Sequence, residues 1–175
     1  MVDKSFSGAV IVPYLLAITK GACDKYIQDN FELIVKGCHE CGVAVGNLGW
    51  IEEFLARDIK VYGDYGLNLY NSEAIAWARE TGLTDYVWSH EVFKGSDYGE
   101  EEVQECIFAG TVPFMISEHS FTKRSFTDRK NRKFKIIQDT FKTKNILVDD
   151  RDELNLLISD RSILKNAKRI RIYLN

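Results

Sequence analysis

The sequence predicts an α/β domain, a partial (β/α) barrel of the TIM type with mainly parallel strands. Three observations carry that expectation. Short apolar strand candidates recur at intervals that leave room for one helix between them, the mark of parallel βαβ units. Two returns from helix to strand are very short, at Ala56-Arg57-Asp58 and Gly82-Leu83-Thr84-Asp85, as right-handed crossovers between adjacent strands allow. Four successive strand candidates end in polar residues, and folds of this type gather the carboxyl ends of their strands on one rim.

Each element has a local reason. Ala9–Leu16 is an apolar run that reads as the first strand; Pro13, with no basic start and no small-residue cleavage site, sets it apart from a signal peptide. A helix is expected over Asp24–Lys36, then a strand at Gly42–Val45, a helix at Gly49–Ala56 and a strand at Ile59–Tyr62. Ser72 opens a helical period that runs to Thr81 and is the expected N-cap, and Tyr86–Ser89 is the next strand. A helix at Glu100–Ala109 and a strand at Thr111–Ile116 follow. Beyond them come strands at Phe134–Gln138, Ile146–Asp149 and Arg169–Leu174, with a helix at Asp152–Asn166 before the last. No helix precedes the first strand to cover its side of the sheet, and RIRIYLN reads as a closing strand. One partial barrel domain over residues 1–175 is therefore expected, as a segment of a longer chain or as a chain that pairs its open edges with another copy.

With 175 residues and 45% hydrophobic content, the chain is long and apolar enough for a real core. No apolar stretch approaches the roughly 20 residues that span a bilayer, so a cytoplasmic protein without a membrane partner is expected. The four cysteines do not form the pattern of a secreted disulfide framework, and reduced thiols follow. The net charge of −3 conceals an uneven distribution. Residues 1–120 hold 8 basic and 19 acidic side chains, whereas residues 121–144 hold 9 and 2. This island reads as a basic, hairpin-like insertion near 121–144. Its Lys123, Arg124, Arg129, Lys130, Arg132 and Lys133, interleaved with Phe121, Phe126, Phe134 and Phe141, fit a solvated hairpin anchored by its phenylalanines, or a surface for the phosphates of RNA.

The densest polar cluster is GDYGLNLYNS, Gly63 to Ser72, on a strand-to-helix loop. Its glycines suit tight backbone geometry and its asparagines suit turns, yet amides on such a loop also face ligands. Taken with the other strand ends, the expected substrate-binding rim is Asn47, Asp64, Asn68, Asn71 and Ser89. Ser89-His90-Glu91 and Ser117-Glu118-His119-Ser120 close two further strand candidates. Alternation points His119 and Glu91 inward together, as a general base and its orienter or as a rim ion pair. His90-Glu91 lacks the second histidine of a zinc-protease helix, because Lys94 stands there. Cys38-His39-Glu40-Cys41 follows a predicted helix, where the dipole has the wrong sign to lower a thiol pKa, and no second pair completes a zinc site. It reads as small side chains at a helix-to-strand turn, and no metal is assigned.

In order and spacing, four segments resemble peptidase family U32, the collagenase-like peptidases. They are VGNLG at Val45 to Gly49, GDYGLNLYNS at Gly63 to Ser72, TGLTD at Thr81 to Asp85 with WSHE at Trp88 to Glu91, and GTVPFMISEHS at Gly110 to Ser120. The resemblance covers roughly Ala9 to Ser120. It implies a (β/α) barrel domain of which this chain is the central part, and a hydrolase acting on peptide or another polar substrate, for which Glu91 and His119 are the catalytic candidates that strand alternation offers. Some members are linked to oxygen-independent hydroxylation of RNA or quinone precursors and hold an iron–sulfur cluster on four cysteines. Here Ser120 stands where the first cluster cysteine would be, and residues 121–144 contain no cysteine, so an iron–sulfur cluster is not expected and the cofactor is left open. A noncatalytic or RNA-directed module is the alternative that the resemblance implies.

Overall fold

Val43-Ala44-Val45 and Val61-Tyr62-Gly63 form strands because short β-branched runs, closed by turns, are buried between helices and neighbouring strands. The structure, a computed structural model, describes residues 11–89, 103–109, 113–138, 145–149 and 167–172. Strands β1 (Tyr14–Leu15), β2 (Val43–Val45), β3 (Val61–Gly63) and β4 (Asp85–Tyr86) lie side by side in chain order, each pair parallel. The helices between them are α1 (Ala22–Asp29), α2 (Phe31–Cys38), α3 (Ile51–Leu55) and α4 (Ser72–Glu80), and 3-10 turns at Leu48–Trp50 and Tyr65–Leu67 follow β2 and β3. The fold is thus mixed α/β, built on a four-stranded parallel sheet, as expected for the class.

The core lies between these helices and the sheet. Val43, Val45 and Val61 pack against Ile51, Phe54, Ile59 and Ile75, all 2% exposed or less. Phe31 joins α2 to α3 through ring contacts of 5.0 Å to Phe54 and 5.6 Å to Trp50.

Four expectations are corrected. The single helix over Asp24–Lys36 is two helices, because Asn30 leaves helical geometry (φ −114°, ψ 13°) and its side-chain amide donates to the Tyr26 carbonyl at 2.8 Å, competing with the helix ladder. The N-cap of α4 is Asn71, one residue before Ser72; its Oδ1 accepts the Ala74 N–H at 2.9 Å. The expected helix Glu100–Ala109 is a strand over its described part, β5 (Val103–Ala109). It is paired on both sides, by a bridge from Val87 to Glu105 and by the parallel strand β10 (Ala167–Ile172). Strands with two neighbours lose the alternation that distinguishes them from helices.

The fourth correction concerns Thr111–Ile116, expected as the next parallel strand with its end on the rim. It is β6 (Pro113–Ser117), at one edge of an antiparallel sheet ordered β6, β9 (Asn145–Asp149), β8 (Lys133–Gln138), β7 (Ser125–Thr127). Residues 110–112 are too few for a crossover to a parallel neighbour of β5, so the chain leaves the first sheet. The basic insertion is accordingly the β7–β8 hairpin of an antiparallel sheet, while the other described strand pairs, β1–β2, β2–β3, β3–β4 and β5–β10, are parallel. The expected helix Asp152–Asn166 lies outside the described residues. No helix among the described residues is long and apolar enough to cross a membrane.

Candidate functional site

GDYGLNLYNS folds as it does for reasons internal to the protein. A Cβ added to Gly66 would stand 2.6 Å from both the Ala17 Cβ and the Gly46 carbonyl oxygen, so the loops after β1, β2 and β3 meet in backbone contact. One added to Gly63 would stand 2.9 Å from Leu67 and 3.0 Å from Tyr86. Asn68 takes the left-handed conformation (φ 50°, ψ 50°) and its Oδ1 accepts the Ser89 hydroxyl, tying this loop to the end of the next strand. Asn71 is spent as the N-cap of α4. Asp64 is 5% exposed and forms an ion pair with Arg171 of β10, whose guanidinium also reaches Glu105 of β5. Arg169, two residues earlier on β10, pairs with the buried Asp85. Four of the five expected rim residues therefore hold the carboxyl edge together.

Asn47, the fifth, leads to an open cleft. Its Oδ1 accepts the Gly49 N–H at 3.0 Å, which leaves its Nδ2 to donate to Thr19 Oγ1 at 3.1 Å. The Trp50 indole N–H donates to the same oxygen at 2.8 Å. With both lone pairs of Thr19 occupied, its own O–H is left as a donor. This hydroxyl lines a cleft of about 530 Å³ with Asp24, Gln28, Asn47, Trp50 and Glu53, at the carboxyl ends of β1 and β2. Asp24 accepts from Gln28 Nε2 at 3.0 Å, and Glu53 pairs with Arg57 at 3.3 Å. The cleft offers one hydroxyl donor, two carboxylates and an aromatic wall, a set suited to a small polar ligand. Sequence reading missed Thr19, Asp24, Trp50 and Glu53. The rule that found Asn47 applies equally to the end of β1, where Ile18-Thr19-Lys20 supplies the signal.

Of the catalytic candidates, Glu91 lies outside the described residues. His119 follows β6 in the antiparallel sheet and is exposed. Its neighbour Glu118 forms an ion pair with Lys20 at 3.0 Å, which sets this strand end beside the loop that carries Thr19. Ser117 Oγ accepts the His119 N–H at 3.1 Å.

Cys38 ends α2 at 2% exposure, and burial, then the neighbouring Cys41, raises its thiol pKa above the usual range. Cys41 Sγ lies 3.5 Å from the Gly42 carbonyl. The two sulfurs sit as small side chains at the helix-to-strand turn, free of any disulfide, and no cluster of His, Cys, Asp or Glu among the described residues could hold a metal ion.

In the basic hairpin, Lys123, Arg124, Arg129, Lys130 and Lys133 are exposed, whereas Arg132 is committed to Asp128 at 2.8 Å. No protein-family model matches the chain, and no curated protein or solved structure matches it.

Proposed function

We propose that this chain is part of a (β/α) barrel similar to the U32 peptidases, binding a peptide or other polar substrate at the carboxyl edge of its parallel sheet for hydrolysis. The observation that supports it is the Thr19 hydroxyl, saturated as an acceptor and left as a donor on the cleft. Asn47 and Trp50 fix that hydroxyl, and Asp24 and Glu53 receive the substrate's donors. Asp64, Asn68, Asn71 and Ser89 hold the edge in shape. His119 acts as general base with Glu91 as its orienter, an assignment that rests on the two polar segments that carry them and on the Lys20–Glu118 pair beside Thr19.

Gelatin cleavage and peptide binding test the two halves separately. Thr19→Val should weaken peptide affinity by roughly tenfold, the worth of one hydrogen bond, while His119→Ala and Glu91→Gln abolish cleavage and spare binding. Equal cleavage by both variants removes the catalytic pair. Equal peptide affinity in Thr19→Val removes the cleft.

A further inference from the structure

The β7–β8 hairpin carries seven cations between Phe121 and Gln138, Lys123, Arg124, Arg129, Lys130, Arg132, Lys133 and Lys135, against the single acid Asp128. That acid is spent inside the turn: its Oδ1 accepts the N–H groups of Lys130 at 2.8 Å and Arg132 at 2.9 Å, and its Oδ2 accepts Arg132 Nε at 2.8 Å. These bonds, with Asn131 at φ 60°, fix the turn and take only Arg132 out of use. Arg129 and Lys130 are left exposed at its tip.

Register then sorts the two faces. Phe126 opposes Phe134, stacked at 5.1 Å and 16°; Phe134, 3% exposed, anchors this face to the protein, while Phe126 at the sheet edge stays exposed. Ser125 opposes Lys135 and Thr127 opposes Lys133, so the other face pairs hydroxyls with ammonium groups and ends on the exposed Ile137. Lys133 and Lys135 stand roughly 7 Å apart along the strand. β7 is the edge of its sheet, and there Phe126 keeps 37% of its surface open, enough for a base to extend the ring stack.

We propose that this hairpin is a binding surface for single-stranded nucleic acid, held through its phosphates by Lys123, Arg124, Arg129, Lys130 and Lys133, with Phe126 as a stacking platform. A rigid row of cations and hydroxyls with one accessible ring suits a flexible phosphodiester chain. An anionic membrane would call for a broad apolar face beside the cations, whereas the exposed apolar side chains here, Phe121, Phe126 and Ile137, are three among seven cations. The surface is separate from the cleft, and the proposal stands or falls independently of the hydrolase reading.

Fluorescence anisotropy with labelled oligouridylate and oligothymidylate, across roughly 50 to 300 mM NaCl, tests it on the full chain. Binding should weaken with salt at a log–log slope near −3.5, about 0.7 for each of five engaged phosphates. The surface variant K130Q/K133Q should lose about tenfold in affinity and lower that slope by about 1.4, with its melting curve unchanged. Phe126→Leu should lose affinity with the slope retained, and Thr19→Val should bind as the parent does. Equal affinity for both oligomers supports readout of the shared backbone; preference for oligouridylate adds the 2′-hydroxyl to it. No binding at the lowest salt, an unaltered K130Q/K133Q, or binding to phosphatidylserine vesicles in place of both oligomers overturns the proposal.

Discussion

Gly66 shows how a residue that looks recruited for a ligand is held in place by its own fold. Gly66→Ala forces the added methyl against Ala17 and the Gly46 carbonyl, and backbone offers less give than a flexible side chain. A loss of about 1–3 kcal/mol in urea unfolding is expected. Asn68→Ala should cost about 1–2 kcal/mol for the left-handed backbone, and more for the Ser89 hydroxyl that it leaves without its acceptor. Just before these two, Tyr65 has its phenol pKa raised to about 12, first by burial and then by Asp64 and Tyr14. The folded state therefore holds this proton more tightly than the unfolded chain. The stability it contributes is whole below about pH 10 and is lost as pH rises through about 12. Phenolate absorbance should show one late-titrating tyrosine that Tyr65→Phe removes.

At the scale of elements, Asn71→Ala should destabilise the protein by about 1 kcal/mol through the loss of the α4 cap, with Asn71→Asp close to neutral in the same denaturation assay. That cap was nearly legible in the sequence, because an asparagine and a serine both precede the helical period and only the backbone decides between them. The parallel strands β1 to β4 were legible for a similar reason: each carries a short apolar run closed by a turn. β5 was not, since Val103, Cys106, Ile107 and Ala109 also fit a helical face, and its strand character comes from neighbours far along the chain. The cleft was half legible. Asn47 marked the end of β2 and Thr19 stands at the end of β1 by the same rule, but that the Trp50 indole and the Asn47 amide share the Thr19 oxygen is visible only in the fold.

Across the whole molecule, β10 returns to the parallel layer and sets Arg169 and Arg171 on Asp85, Asp64 and Glu105. Arg171→Ala leaves buried carboxylates without a counter-charge, for an expected loss of about 3–5 kcal/mol. The triple variant D64N/E105Q/R171M should recover most of it, because removing both signs together removes the cost. Chemical denaturation of the two variants separates charge compensation from simple packing. No local pattern announced these pairs.

Arg171 lies 107 residues from Asp64 in the chain, and that distance sets an order of events. The early strands can collapse around Phe54 and Val61, but the carboxylate at the end of β3 stays hydrated until β10 arrives. Refolding should accordingly be slow for a protein of this size, with the last step the docking of a strand rather than the formation of a helix.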